Sequence, residues 1–212
     1  MQDIYAIQSS VPNLRVPASL TVIGAGGTGY WFAFMAAMSG VKRLIVFEPS
    51  DIRATDVARF PVLPTSVGRK TIDELHDLVK RFRPEIDFAS HPYHFKLEEH
   101  ADLIEGKLVI SLDDLRLKRR IADFATAKSI EYVVAPYFED ASAVFHNHVP
   151  QSLLMDGRTV PNWAGRCTLS ASLGITSLFS KPFSAIVSAE DCCEASSSAK
   201  VQSILGGKIG SE

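Results

Sequence analysis

Gly24, Gly26 and Gly29 stand in the spacing GxGxxG within the run LTVIGAGGTG at 20–29, with Gly27 as an extra glycine inside it. Such a turn can bind phosphate. The first glycine permits the tight bend, the second lets a phosphate approach the backbone, and the third lets the following helix pack on the strand. Leu20, Val22 and Ile23 suit a buried strand before the turn. A helix predicted over 28–39, closing at Gly40, would aim its N-terminal amides at the anion. The same glycines can also serve as a plain strand-to-helix connection, and the flanking signals favour the nucleotide reading. Two sets of acids fall where a sheet would bring them to the same edge. KRLIVFE at 42–48 reads as a second strand ending in Glu48, about where dinucleotide folds place the carboxylate that holds a ribose. A solvated acid at a strand end is the alternative, with Asp51 and Asp56 close by. KLVISL at 107–112 is another buried strand, and it delivers Asp113 and Asp114 to its C-terminal end, where open α/β sheets bind ligands. Either acid could instead cap the helix expected over 115–128.

The elements that must position these residues follow from periodicity. Over 67–83, Ile72, Leu75, Leu78, Val79 and Phe82 recur at helical spacing before Pro84, which predicts an amphipathic helix with Lys70 in its first turn. A short strand at 86–90, a weak helix before 107, and strands at 130–136 and 141–149 complete the pattern, while 168–188 has no clear period. The fold class expected is α/β: a Rossmann-like, doubly wound, mostly parallel sheet with added antiparallel strands near the C-terminal part. Residues 1–190 read as a single nucleotide-binding domain, led by a surface arm over 1–18, and 191–212 as a flexible tail.

A chain of 212 residues with 46% hydrophobic and 22% charged residues can bury one sizeable core. Its formal net charge of -2 supplies no field to gather nucleic acid or an anionic membrane. No apolar run is long enough to span a bilayer and the first residues resemble no signal peptide, so a cytoplasmic protein is expected. Cys167, Cys192 and Cys193 are odd in number and two are adjacent, which argues against a disulfide framework. His91, His94 and His100, like His146 and His148, lack a further ligand cluster of recognised spacing, and read as surface or hydrogen-bonded histidines. Arg116, Lys118, Arg119 and Arg120 read as a solvated helix face.

Between Pro49 and Ser66 lies a loop with prolines and mixed charge, PSDIRATDVARFPVLPTS, longer than an ordinary connection. The order GxGGxG, strand, acid, DIRATDVARF and then VGRK resembles the adenylating ThiF/MoeB and ubiquitin-activating enzyme family. In that family an acid is followed by a V-x-x-SN-L-x-R-like segment and then a lysine. The resemblance puts Glu48 on the ribose acid, Thr55 and Asp56 on the serine and asparagine, Arg59 on the arginine and Lys70 on the lysine. It also puts Asp113 and Asp114 on a D-N pair that precedes an arginine-bearing helix. Asp56 and Phe60 depart from the pattern. An aspartate in place of asparagine would have to bind metal, pair with Arg59 or be protonated.

The resemblance covers about 20–150 and implies adenylation of the C-terminal carboxylate of a small ubiquitin-like or sulfur-carrier protein. It further implies ATP and Mg²⁺ over the glycine turn, Arg59 and Lys70 on the phosphates, Asp113 on the metal, and a dimer of like or unlike subunits. Cations suit those positions because attack on the α-phosphate concentrates negative charge. Cys167 lies at the distance where some members carry a reactive thiol on a crossover loop; a buried structural cysteine is the alternative. Paired C-x-x-C zinc motifs are absent. Two rival functions stay open: an NAD(P)-dependent oxidoreductase, which the glycines and Glu48 fit equally, and a non-catalytic nucleotide-binding partner subunit of an activating enzyme.

Overall fold

The structure, a computed structural model, describes residues 4–136, 141–150 and 164–188. Its strands are β1 (Ser19–Ile23), β2 (Arg43–Phe47), β3 (Asp87–His91), β4 (Lys107–Ile110), β5 (Tyr132–Val134), β6 (Ala141–His146) and β7 (Ala185–Ser188). The helices are α1 (Gly27–Met38), α2 (Thr71–Phe82), α3 (Leu97–His100), α4 (Leu115–Ala127) and α5 (Ala164–Phe179). They build one sheet in the order β3-β2-β1-β4-β5-β6-β7. Pairing is parallel from β3 through β5, and β6 and β7 add on antiparallel. The strand order reverses between β1 and β4, which opens a crevice at their C-terminal ends.

Both faces of the sheet are covered, so its central strands are mostly apolar, with the buried Thr21 hydroxyl of β1 bonded to Glu105 O. Leu20, Val22, Leu44, Val46, Val109 and Val133 face a core shared with α1, α2 and α5. Ile23, Ile45, Phe47, Leu108, Ile110 and Val134 face a second core closed by α4. This is period-2 alternation between two dry faces, which a sequence shows as an unbroken apolar run. The amphipathic helix expected from 67 begins at Thr71; the residues before it form a short 3-10 turn and a connection through Gly68 at φ +91°.

The absence of a period over 168–188 conceals a helix. Small residues make up most of the buried side of α5, and a Cβ on Gly174 would lie 2.5 Å from Phe32 Cε2 of α1. Small residues let the two helices approach closely, so burial there leaves no stripe of large apolar side chains. The expected flexible tail, 191–212, lies outside the described residues. Among the described residues no helix is long and apolar enough to cross a membrane.

The histidines are anchored by neighbours. His146 Nδ1 lies 2.9 Å from Ser177 Oγ and its Nε2 3.3 Å from Glu131 Oε1, while Glu131 Oε2 lies 2.9 Å from Lys107 Nζ. His91 stacks on Phe47 at 4.4 Å between centroids and shares a ring cluster with Tyr93 and His100. Burial holds His146 below the ordinary imidazole value, with Glu131 opposing and Lys107 and His148 adding to the drop. Burial likewise lowers His91, helped by His100 and Arg43. The folded protein therefore binds these protons less readily than the unfolded chain. Their stability contribution is whole above the unfolded value of about 6.5 and is lost as pH falls through the folded values. The melting temperature should drop between about pH 7 and pH 5. His91→Phe, which keeps the ring stack, should flatten that slope in thermal melts; an unchanged slope would assign the effect to other groups.

Candidate active site

A cavity of about 580 Å³ opens at the β1/β4 crevice, walled by the glycine turn, the ends of β2 and β4, and the loop after β2. Gly24 adopts φ +88°, a left-handed conformation that favours glycine. Its amide donates to Phe47 O at 2.9 Å, and Ser111 N donates to Ile23 O at 2.8 Å, so the turn is laced to both neighbouring strands. A Cβ on Gly29 would lie 1.9 Å from Gly24 O. A Cβ on Gly26 would meet nothing within 4 Å, because that position faces the open cavity. Gly27 also lines the cavity and begins α1.

Glu48 lines the cavity and is itself buried. Its Oε2 accepts from Ala25 N at 2.8 Å; its Oε1 accepts from Ser50 N at 2.9 Å and also from Ser50 Oγ. A carboxylate offers about four acceptor sites. Three are used by donors of the described residues, and one remains for a further donor. Glu48 thus fixes the glycine turn as well as facing the cavity, a second role that strand-end placement alone does not reveal.

Asp56, which departs from the family pattern, is settled by pairing with Arg59. Its Oδ2 also accepts from Arg53 N at 2.8 Å, and its backbone oxygen accepts from Arg59 N and Phe60 N. Arg59 lines the cavity, and its carbonyl accepts from Trp31 Nε1 at 2.8 Å, which ties the loop to α1. Phe60 is buried against Tyr30, ring centroids 4.6 Å apart and nearly parallel. The Phe60 ring therefore serves as a packing anchor between the loop and α1.

Lys70 is the N-cap of α2, one residue before its first turn, and does not line the cavity. Its ammonium lies 2.7 Å from Asp51 Oδ1 and 3.2 Å from Pro49 O. Thr71, next in sequence, does line the cavity.

At the end of β4, Asp113 and Asp114 both line the cavity. Asp114 caps α4, its Oδ1 accepting from Leu117 N at 2.9 Å. No hydrogen bond or ion pair engages the exposed Asp113 carboxylate among the described residues, so it can take a ligand. The solvated basic face expected on α4 fails at Lys118, which is 7% exposed. Burial lowers Lys118, and the carboxylate of Asp113 opposes that drop. The nearby acid offsets part of the cost of holding a lysine this close to the core.

Cys167 is fully buried within α5 and does not line the cavity. The crossover-loop placement is corrected: the thiol belongs to the close-packed helix. Cys192 and Cys193 lie outside the described residues. Among the described residues no group of three or more potential ligands could hold a metal by itself. His94 is exposed and lines the cavity, which its spacing in the sequence did not signal.

A family model described as the ThiF family matches residues 14–177, from the connection before β1 to the last turns of α5. The chain belongs to the ThiF family. Among curated proteins, this ThiF-family chain is 23% identical over 128 residues to the tRNA threonylcarbamoyladenosine dehydratase of Haemophilus influenzae, covering 58% of itself and 49% of that protein. It is 21% identical over 90 residues to ubiquitin-like modifier-activating enzyme 5 of Caenorhabditis briggsae, covering 42% of itself and 21% of that protein. It thus spans half or less of the length of these relatives. Among solved structures, Escherichia coli MccB with AMPCPP and MccA superposes with a TM-score of 0.71 at 17% identity, covering 87% of this chain and 63% of that one. At such identity the likeness establishes a shared fold.

Proposed function

We propose that this ThiF-family protein binds ATP with Mg²⁺ in the cavity and adenylates a carboxylate. The acceptor on this reading is the C-terminal carboxylate of a small ubiquitin-like or sulfur-carrier protein, met by a cytoplasmic enzyme that works as a dimer. The observation that carries the reading is the convergence at the β1/β4 crevice of the glycine turn, Glu48, Arg59 and Asp113. A dinucleotide site accounts for the first two and leaves Arg59 and Asp113 to chance. The family match and the MccB complex with AMPCPP and MccA support an ATP-using reading.

The residues fit the chemistry. The N-terminal amides of α1 suit a phosphate, and the remaining acceptor site of Glu48 suits a ribose hydroxyl. Asp113 offers the hard oxygen that Mg²⁺ prefers, and Mg²⁺ when bound supplies charge neutralisation across the phosphates. A carboxylate oxygen of the acceptor attacks the α-phosphorus, a new P–O bond forms, and the bond to the departing pyrophosphate breaks. Negative charge grows during this step, and the Arg59 guanidinium at the cavity wall is placed to meet it. Lys70 joins it only by leaving Asp51.

One observation favours the second reading, a non-catalytic nucleotide-binding subunit: both carried-over cations already face acids, Arg59 on Asp56 and Lys70 on Asp51. Calorimetric titration should show tighter binding of ATP with Mg²⁺ than of NAD or NADP. The reverse order would sink the adenylation reading and promote the oxidoreductase. ATP binding without ATP–pyrophosphate exchange, for acceptors ending in Gly-Gly, would select the non-catalytic subunit, and Asp56→Asn is then the substitution that should restore exchange.

A further inference from the structure

Thr28 and Thr71 share an unusual condition. Both line the nucleotide cavity, both are at most 3% exposed, and neither hydroxyl has a hydrogen-bond partner among the described residues. Buried hydroxyls are ordinarily paired, because an unpaired one forfeits its hydration for nothing. Tyr30 has an unpaired hydroxyl too, but it does not line the cavity. Thr28 is the second residue of α1 and Thr71 the first of α2, two helices of 12 residues whose N-terminal turns meet at this wall. Both helix ends favour negative charge. The acids in the first turn of α2 do not interfere: neither Asp73 nor Glu74 lines the cavity, and Glu74 is held by Arg69.

We propose that Thr71, together with Thr28, donates hydrogen bonds to phosphate oxygens of the bound nucleotide, in the place that the family resemblance gives to Lys70. This rests on the nucleotide reading above and deepens it. Thr71 is a substrate-binding residue, and a turn about its Cα–Cβ bond carries the hydroxyl between staggered positions without moving the helix. Neutral donors fit this wall, since Asp56 and Asp51 already hold the nearby cations.

The test is calorimetric titration of the full chain with MgATP and, separately, with adenosine, alongside thermal melts. Thr71→Val keeps the shape and removes the hydroxyl. It should weaken MgATP binding about tenfold and leave adenosine unchanged, since one hydrogen bond to a charged group is lost. Its melting temperature should hold or rise, because no satisfied bond is removed. Thr71→Ser should bind MgATP within about twofold of the parent, and Thr28→Val should behave like Thr71→Val. If the parent binds MgATP and Thr71→Val binds it equally, the inference fails while the nucleotide reading stands. A fall in melting temperature with no rescue by serine would reduce Thr71 to a packing residue. A parent that binds no MgATP would overturn both.

Discussion

Gly29→Ala should abolish nucleotide binding and destabilise the fold by roughly 3 kcal/mol, the upper end of ordinary overpacking costs. The added Cβ would fall 1.9 Å from Gly24 O and 2.9 Å from Gly24 C, both backbone atoms. No side chain can rotate to relieve that contact, so the turn itself must move. Gly24 cannot yield easily, because its own amide is bound to β2 and the residue at its side, Ser111, is bound to β1. Gly26→Ala separates the two effects. Its Cβ meets no protein atom within 4 Å, so stability should change by less than about 1 kcal/mol. The methyl would stand where a phosphate approaches the backbone, and MgATP affinity should fall while the melting temperature holds. Thermal melts and titration of both variants check this. Equal behaviour of the two would mean that the turn is not braced against β2 and β4 as described.

Burial decides how much of this fold is legible in the sequence. The β1, β2 and β4 runs were legible because burial on both faces forces a nearly continuous apolar sequence, and the glycines because strand and helix signals flank them. Asp113 was legible because a strand end is a fixed place in an α/β sheet. Helix α5 was not, since its contact with α1 selects for small residues such as Gly174, and smallness carries no hydropathy signal. That also hid the helix around Cys167, whose burial was one of the two readings its sequence offered. Lys118 looked like any residue of a basic helix face; only the three-dimensional position of Asp113 distinguishes it. The hardest distinction was between Lys70 and Thr71. One residue of register at the start of α2 decides which side chain lines the cavity, and that register depends on the left-handed Gly68 and on the bridge between Asp51 and Lys70. Neither is written in local propensity.

Asp113→Ala should lower ATP–pyrophosphate exchange about 10²-fold or more, the scale reached when one group facing developing charge is removed. The carboxylate is exposed, so it contributes little to the core, and the cap of α4 belongs to Asp114 rather than to Asp113. No loss of stability should therefore come through the core or the α4 cap. One structural consequence runs the other way. Lys118 is buried beside Asp113, and removing the acid leaves its ammonium with less compensation. Loss of that acid should push the Lys118 proton affinity down further, which costs stability at neutral pH. The double variant Asp113→Ala with Lys118→Met removes both charges and separates the contributions. If the single variant melts early and the double variant melts like the parent while exchange stays lost, Asp113 acts on the nucleotide and its stability effect runs through Lys118. Recovery of exchange in the double variant would instead mean that the single substitution harmed the site by leaving a buried cation unpaired, and the role proposed for Asp113 on Mg²⁺ would be withdrawn. Arg59→Ala offers a parallel comparison, because it leaves Asp56 buried without its guanidinium. Its exchange loss should persist in Arg59→Ala with Asp56→Asn if Arg59 meets the phosphate, and should vanish if Arg59 merely neutralises Asp56.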